Sequence, residues 1–281
     1  MNFKLVADSS ANVFHMSGVD YASVPMKIIT TQAEYVDDPN LDVAAMVDAI
    51  KVTKGKSGTS CPNVHDWLQA FDGGDRVFAV TITSNLSGSH ASAIQAAADY
   101  EAANPGAKVC VIDSLSAGPE LGLILEKLQQ WIAEGREYER MVEDIRAYQS
   151  HTHLAFSLES LTNLARNGRV NPAVAKIAGV LGIRVMGVAS EVGTLEPLHK
   201  CRGEKKAIET IVDEMRKRGY NGGRVKIAHC FNENAAETLK GMIHAAWPTA
   251  DVAIELCSAL CSFYAERGGL LVGFEDQQEN A

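Results

Sequence analysis

The chain has 281 residues, a formal net charge of −9, 46% hydrophobic residues and 22% charged residues. Its length suits one large or two medium domains, and its composition is typical of a folded globular protein rather than a disordered one. The negative charge argues against nucleic-acid binding. No apolar run reaches the roughly 18 residues of a membrane span, and the N-terminal residues lack the pattern of a signal peptide. We therefore expect a cytoplasmic protein without stable membrane insertion.

Strand-like and helix-like segments alternate through the first half of the chain. The predicted strands are 4–7, 24–30, 76–83 and 108–113, and the predicted helices are 41–52, 63–71, 91–102, 121–134 and 137–150. Such alternation with short loops predicts a mostly parallel sheet covered by helices on both faces. Ligands of these sheets bind beyond the carboxyl ends of the strands. Polar segments 8–10, 83–89 and 113–116 fall at such ends, and we expect them to converge.

The pattern changes after residue 150, where we place the boundary between a domain of residues 1–150 and a domain of residues 151–281. The predicted strands of the second part are 154–156, 183–189, 194–199, 225–230, 252–256 and 270–274, and its predicted helices are 158–165, 172–180, 204–218 and 233–246. Segments 183–189 and 194–199 are expected to pair as a hairpin. The pattern therefore predicts a second α/β domain.

Small residues form the junction between the predicted strand 76–83 and the helix that follows it. They are Ser84, Ser87, Gly88 and Ser89. The first turn of a helix leaves backbone N–H groups without partners and carries partial positive charge, so it favours an anion. Serine hydroxyls beside those groups add directed donors. This junction predicts a site for a carboxylate or a phosphate.

A second hydroxyl-bearing turn, Gly58-Thr-Ser-Cys-Pro62, precedes the predicted helix 63–71. A Ser or Thr in that place is most often only a helix N-cap, with Pro62 in the first turn. The competing interpretation is that Thr59 joins Ser87 at the anion site. The spacing alone leaves both interpretations open.

The sequence offers one candidate pair of catalytic residues, a nucleophile and a base. His90 lies three residues after Ser87, on the same helical face, as a base would beside a nucleophile. The sequence has no G-x-S-x-G turn, and no third group that would orient the histidine is recognisable from spacing. A hydrolase is therefore the less favoured interpretation.

Metal binding is not expected. His151 and His153 share one side of a predicted strand but have no third ligand nearby in sequence. The segment Asp8-Ser-Ser10 is compatible with a metal, a phosphate or a simple N-cap. The six cysteines form no C-x-x-C pair, so we expect reduced thiols.

A local basic segment contrasts with the overall negative charge. Residues 166–206 contain eight basic and three acidic side chains. Arg169 and Arg202 lie on predicted turns within it, where arginine can bind phosphate in a bidentate way. Plain solvent exposure is the alternative, and a docking face for an acidic partner is a third possibility.

Short motifs of one characteristic order and spacing extend over nearly the whole chain. They are Val6-Ala-Asp-Ser-Ser10, Tyr35-Val-Asp37, Gly58-Thr-Ser-Cys-Pro62, Ser84-Asn-Leu-Ser-Gly-Ser89, Val111-Ile-Asp-Ser-Leu-Ser116 and Gly168-Arg-Val170. As a set they resemble the DegV family, the bacterial fatty-acid-binding subunits that serve a fatty acid kinase. The resemblance implies a two-domain α/β fold, with a parallel sheet in the N-terminal domain and a mixed sheet in the C-terminal domain. It also implies an apolar tunnel for a long-chain fatty acid, a kinase as protein partner, no catalysis and no cofactor.

The resemblance assigns roles to single residues. In the family, a threonine and a serine of the two hydroxyl-bearing turns hold the fatty-acid carboxylate. The implied ligand-binding residues here are Thr59, Ser60, Ser87, Gly88 and Tyr264. Arg169 and Arg202 correspond to family arginines near the kinase-docking or phosphoryl-transfer face.

Tyr264 marks a departure from the family pattern. Family members commonly carry a histidine at this position that helps to place the carboxylate, and the tyrosine hydroxyl can still donate a hydrogen bond. The first hypothesis is a non-catalytic protein that presents a fatty acid to a kinase. The alternatives are an enzyme acting on an acyl or phosphorylated substrate through Ser87 and His90, and a binding scaffold that Tyr264 has closed and that has lost kinase coupling.

Overall fold

The computed structural model describes residues 2–53, 55–173 and 182–276. Its strands are β1 (Phe3–Asp8), β2 (Asp20–Val24), β3 (Lys27–Thr30), β4 (Glu34–Val36), β5 (Ser57–Ser60), β6 (Arg76–Thr81), β7 (Lys108–Asp113), β8 (Thr152–Leu158), β9 (Ile183–Ala189), β10 (Leu195–Arg202), β11 (Arg224–His229), β12 (Asp251–Leu256) and β13 (Leu270–Glu275). Its described helices are α1 (Val43–Val52), α2 (Val64–Phe71), α3 (Ser89–Ala103), α4 (Pro119–Ala133), α5 (Tyr138–Gln149), α6 (Thr162–Arg166), α7 (Glu204–Lys217), α8 (Glu233–Ala246) and α9 (Ala259–Ala265). A short 3-10 helix, Ser9–Ala11, follows β1.

The first sheet is parallel and has the strand order β2-β1-β6-β7. Helices cover both of its faces, which is why its central strands are continuous apolar runs. Leu5 and Phe78 pack on one face with residues of α4 and α5. Val6 and Val77 pack on the other face with residues of α2 and α3. The parallel sheet predicted for the first half of the chain is confirmed.

The second sheet has six strands in the order β10-β9-β8-β13-β11-β12. Its neighbours are antiparallel except for the parallel pair β11 and β12, so the sheet is mixed. Helices α7 and α8 cover one face, where Ile211 and Leu239 belong to the largest core cluster. The opposite face carries Phe156 and Leu158 and packs toward α6 and α9.

A third, small antiparallel sheet with the order β4-β3-β5 was not expected from the sequence. The prediction of one strand over 24–30 is wrong, because β2 ends at Val24 and β3 begins at Lys27 in a different sheet. Pro25 lies between them and has no N–H to donate to a continuous ladder. Strand β5 lacks large apolar residues, so its period-two pattern is not visible in the sequence.

Three further expectations concern residues 150–180, where the first part of the chain leads into the second. The predicted helix 158–165 is wrong at its start, because Leu158 belongs to β8 and the helix begins only at Thr162, whose N–H is bonded to the Ser160 hydroxyl. The predicted helix 172–180 lies mostly outside the described residues. All strands of the parallel sheet precede residue 150, and all strands of the six-stranded sheet follow it. A boundary there stays a prediction, since α9 packs against α1 and β3 of the first part.

None of the described helices is both long and apolar enough to cross a membrane. All six cysteines are free thiols, as expected. Within the described ranges, no group of three or more His, Cys, Asp or Glu side chains could hold a metal ion.

Candidate functional site

A cavity of about 260 Å³, here called the first cavity, lies between the N-terminal turns, strand β8 and helix α9. Its wall is largely apolar. The apolar lining residues are Met26, Ile82, Leu86, Ala117, Leu154, Phe156, Leu158, Leu164, Leu195, Leu260, Ala265 and Leu271. The other described lining residues are Ser10, Thr59, Ser60, Cys61, Ser87, Gly88, Arg169, Cys261 and Tyr264. An apolar chamber with a few polar groups suits a ligand that has a long apolar body and a polar end.

The five residues predicted to bind a ligand all line this one cavity, although they come from three separate segments. Thr59 lies on β5, opposite Ile28 of β3. Its Oγ1 is 2.8 Å from the hydroxyl oxygen of Tyr264, which α9 carries. The N-cap of α2 is Asn63, whose side chain accepts the N–H groups of His65 and Asp66. The interpretation of Thr59 as a mere helix cap is therefore wrong.

The turn that contains Ser87 and Gly88 lies directly against the turn that contains Thr59 and Cys61. A Cβ placed on Gly88 would lie 3.3 Å from Sγ of Cys61, so the absence of a side chain allows the two turns to approach closely. Gly88 is the N-cap residue of α3, and the Ser87 hydroxyl oxygen accepts the N–H of Ser89 at 3.2 Å. Accepting this N–H still leaves the Ser87 hydroxyl its own proton, with which it can donate a hydrogen bond. The N-terminus of a 15-residue helix adds partial positive charge.

Asp8 stabilises the turn before α3 through hydrogen bonds. Its carboxylate is buried and accepts the hydroxyl of Ser89 at 2.6 Å, the N–H of Ile82 at 3.0 Å and the hydroxyl of Ser10 at 2.5 Å. Burial raises the pKa of this carboxyl, and these hydrogen bonds offset part of that rise. Asp8 is the N-cap of the 3-10 helix Ser9–Ala11, which is one of the interpretations left open by the sequence, and it orders the turn.

Asp37 holds the helix that carries Tyr264. Its oxygens accept the N–H of Ala259 at 2.8 Å, the N–H of Leu260 at 3.1 Å and the hydroxyl of Ser9 at 2.8 Å. The first two are the opening residues of α9. Burial raises the pKa of Asp37 to about 6 despite these donors. The sequence motif containing Asp37 was recognised, but its contact with a segment 222 residues later left no signal in the spacing.

The two predicted arginines lie in different surroundings. Arg169 lines the first cavity, and its Nε donates to the carbonyl oxygen of Leu86 at 3.1 Å. A second bond joins its guanidinium to the carbonyl oxygen of Asn167. Arg202 is exposed at the end of β10 and is not among the described residues that line the cavity. The structure brings Arg169, but not Arg202, to the polar end of the site.

His90 does not share the cavity of Ser87. Its Nδ1 lies 3.2 Å from Oγ1 of Thr81, and its side chain lines a separate cavity, here called the second cavity. His151 and His153, the other histidine pair, both contact Asp276, at 2.8 Å and 3.0 Å. Neither observation adds support for a nucleophile–base pair or for a metal centre.

A family model described as "uncharacterised protein, DegV family" matches residues 2–276. The chain belongs to the DegV family. A DegV domain-containing protein of Streptococcus pneumoniae is 43% identical to it over 279 residues, which cover 98% of this chain and 99% of the relative. The resemblance drawn from the motifs is thereby confirmed.

Two solved structures match this chain closely along their whole length. A DegV family protein from Eubacterium eligens, loaded with heptadecanoic acid, has 45% identity and a TM-score of 0.96, with 98% of this chain and 100% of that chain covered. The Streptococcus pneumoniae Fatty Acid Kinase (Fak) B3 protein, loaded with linoleic acid, has 43% identity and a TM-score of 0.96, with 99% of this chain and 100% of that chain covered. The expected DegV-type α/β fold, with its parallel and mixed sheets, is confirmed.

Proposed function

We propose that this DegV protein binds a long-chain fatty acid in the first cavity and presents its carboxylate to a fatty acid kinase. One observation carries the proposal: hydroxyls from β5, from the turn before α3 and from α9 converge on one apolar cavity. Hydroxyl donors are neutral, so they add directed hydrogen bonds for a carboxylate without adding charge of their own to the apolar chamber. The fatty acids named with the Eubacterium eligens and Fak B3 structures support the same ligand class.

The two ends of such a ligand contribute differently to affinity. Burial of a C16 tail offers on the order of 10 kcal/mol at about 0.8 kcal/mol per methylene, before the cost of association. Hydrogen bonds from Thr59, Ser87 and nearby donors to the carboxylate contribute roughly 1.5–3 kcal/mol each. The tail therefore supplies most of the affinity. The hydroxyls fix the head group and compensate for its desolvation.

Presentation to a kinase is supported by the position of the arginines. Arg169 lies at the cavity wall, where its guanidinium can face both the bound carboxylate and an approaching phosphoryl group. Arg202 adds positive charge on an exposed strand end. The kinase supplies the phosphoryl donor, and we propose that this chain is the binding subunit rather than an enzyme.

The two alternative hypotheses have less support. Catalysis through Ser87 would need a base beside it, whereas His90 is bonded to Thr81 and faces the second cavity. Closure of the tunnel by Tyr264 would leave no chamber, whereas about 260 Å³ remains beside this side chain. The cytoplasmic location stays a prediction from the sequence.

Lipid extraction and native mass spectrometry of the purified protein test the proposal. We expect a co-purified long-chain acid in the wild type and its loss in the Thr59→Ala/Ser87→Ala double variant. Ser57→Ala is the matched control, because Ser57 lies on the same strand β5 but is not among the described residues that line the cavity. Absence of any lipid, together with no binding of added acids of about 14 to 18 carbons, would overturn the proposal.

A further inference from the structure

We infer that Leu154 is the wall that limits the length of acyl chain the first cavity accepts. The inference rests on the proposed function and adds a residue that determines specificity. Side chains of alternate residues along a strand lie on one face, so Thr152, Leu154, Phe156 and Leu158 of β8 form one row. Phe156 and Leu158 line the first cavity, and Thr152 lines the second cavity. Among the residues that the structure describes, only Leu154 lines both.

The second cavity lies directly beyond this wall and has a volume of about 760 Å³. Its lining is mixed: Ile112, Val142 and Ile145 contribute apolar groups, whereas Asp113, Arg146 and Arg218 contribute charged ones. The buried polar pair next to Leu154 on the β8 row is satisfied: the carboxylate of Glu120 accepts the hydroxyl of Thr152 at 2.8 Å and also that of Ser116. The few carbons that pass Leu154 can therefore contact this part of the lining without breaking the hydrogen bonds of Glu120.

Leu154 lies at the end of the first cavity that is remote from the head group. The carboxyl end of β8 leads into α6, and a Cβ on Gly58, next to Thr59, would lie 3.1 Å from Oδ1 of Asn167, the C-cap of α6. Arg169 follows two residues later and contacts Leu86. Leu158 is therefore the member of the row on the head-group side. Leu154 precedes it by four residues, which is about 13 Å along a strand.

This geometry gives a measurable chain-length limit. Each methylene that enters apolar space raises affinity roughly fourfold, so affinity rises with chain length until the tail meets the wall. Leu154 is only 2% exposed, so its side chain separates the two cavities in this structure. Leu154→Ala removes three carbons from the wall and opens a path into the second cavity. We expect the limit to move up by about two to three carbons.

The test measures dissociation constants of unbranched saturated acids from about 12 to about 24 carbons by displacement of a fluorescent fatty acid. We expect wild type and Leu158→Ala to share one limit, with Leu158→Ala weaker at every length. Leu154→Ala should bind acids beyond that limit at least tenfold more tightly than wild type does. Leu154→Val, a smaller change that preserves packing, should move the profile in the same direction by a smaller amount.

The outcomes separate this inference from the proposed function. If wild type binds acids but both Leu154 variants keep the wild-type limit, the inference is wrong and the proposed function stands. If Leu158→Ala extends the chain-length limit as much as Leu154→Ala does, then enlarging the cavity at either position admits longer acids. Leu154 would then have no special role, and the inference is wrong. If wild type binds no acid of any length, the proposed function itself fails.

Discussion

The hydroxyl oxygen of Tyr264 lies 2.8 Å from Oγ1 of Thr59, although 205 residues separate the two in the chain. Each hydroxyl has one proton and two acceptor positions, so only one of the pair can donate to the other. The remaining proton is available to a ligand carboxylate. If Tyr264 donates to Thr59, the threonine proton points to the ligand, and the tyrosine strengthens that bond through its own. The two residues then act as one donor.

This pairing predicts non-additive effects of substitution. Thr59→Ala should weaken fatty-acid binding by about tenfold, and Tyr264→Phe, which keeps the ring but loses the hydroxyl, by a smaller factor. The double variant should be no weaker than Thr59→Ala alone. A double-mutant cycle on dissociation constants measures the coupling. Fully additive losses would show that each hydroxyl contacts the ligand independently.

Asp37 is predicted to control the position of α9. Asp37→Ala removes the acceptor of the Ala259 and Leu260 N–H groups and should lower the free energy of unfolding by about 1–3 kcal/mol. Because Tyr264 moves with the helix, fatty-acid affinity should fall as well. Chemical denaturation and ligand displacement measure the two effects. Asp38→Ala is the control, because within the described part of the chain the Asp38 carboxylate accepts only a local N–H, from Asn40. An equal loss in that variant would contradict the prediction.

Glu120 is predicted to make stability depend on pH. Burial raises its pKa from 4.5 to about 7, while hydrogen bonds from Ser116 and Thr152 act in the opposite direction. The folded state favours the protonated form of Glu120. The stabilisation that this gives is fully present below the pKa of the unfolded chain, and it is lost as the pH rises through the pKa of the folded protein. Between about pH 4.5 and 7 the wild type should therefore lose on the order of 3 kcal/mol relative to Glu120→Gln, which does not titrate.

Denaturation of both proteins at several pH values across this window measures that difference. Glu134→Gln changes the same charge at an exposed position after α4 and controls for net charge. The other buried carboxyls are the same in wild type and variant, so their contributions to the pH dependence of the unfolding free energy cancel in the comparison. A difference that stays constant with pH would mean that Glu120 remains ionised throughout.

Arg169 and Arg202 are predicted to have separable effects. Arg202→Ala should leave fatty-acid affinity unchanged, because Arg202 lies outside the cavity lining, but should weaken kinase-dependent phosphorylation of the bound acid. Arg169→Ala should reduce both by roughly tenfold, since it also removes the bond to the Leu86 carbonyl that steadies the Ser87 turn. Displacement assays and phosphorylation rates with a fatty acid kinase provide the two measurements. Equal behaviour of the two variants would contradict this separation.

Most regular elements could be predicted from the sequence because their apolar periodicity is strong. Helix 233–246 matches α8 residue for residue, and strands 108–113 and 183–189 match β7 and β9. The small sheet was missed because β4 and β5 are three and four residues long and carry few apolar side chains. Helix α9 was missed because it has only seven residues and most of them are apolar and buried, so no amphipathic period is visible.

The residues of the candidate site could be predicted where they belong to a local sequence motif. The turns around Thr59 and Ser87 have recognisable residues, and the family resemblance paired them. The contact between Asp37 and α9 is not encoded by any spacing, because it depends on how β4 and a distant helix pack together. The same is true of Leu154, which looks like any core residue of an apolar strand until the two cavities on either side of it are seen.

The attachment of α9 to Asp37 and Thr59 has a consequence for dissecting this protein. A fragment of residues 2–150 would contain both hydroxyl-bearing turns and its own parallel sheet, yet it would lack Tyr264 and leave the buried carboxylate of Asp37 without its two backbone donors. Such a fragment would expose Ile28 and Met46, which α9 covers in the intact chain. Halves produced separately should therefore regain ligand retention only when they are mixed and reassociate.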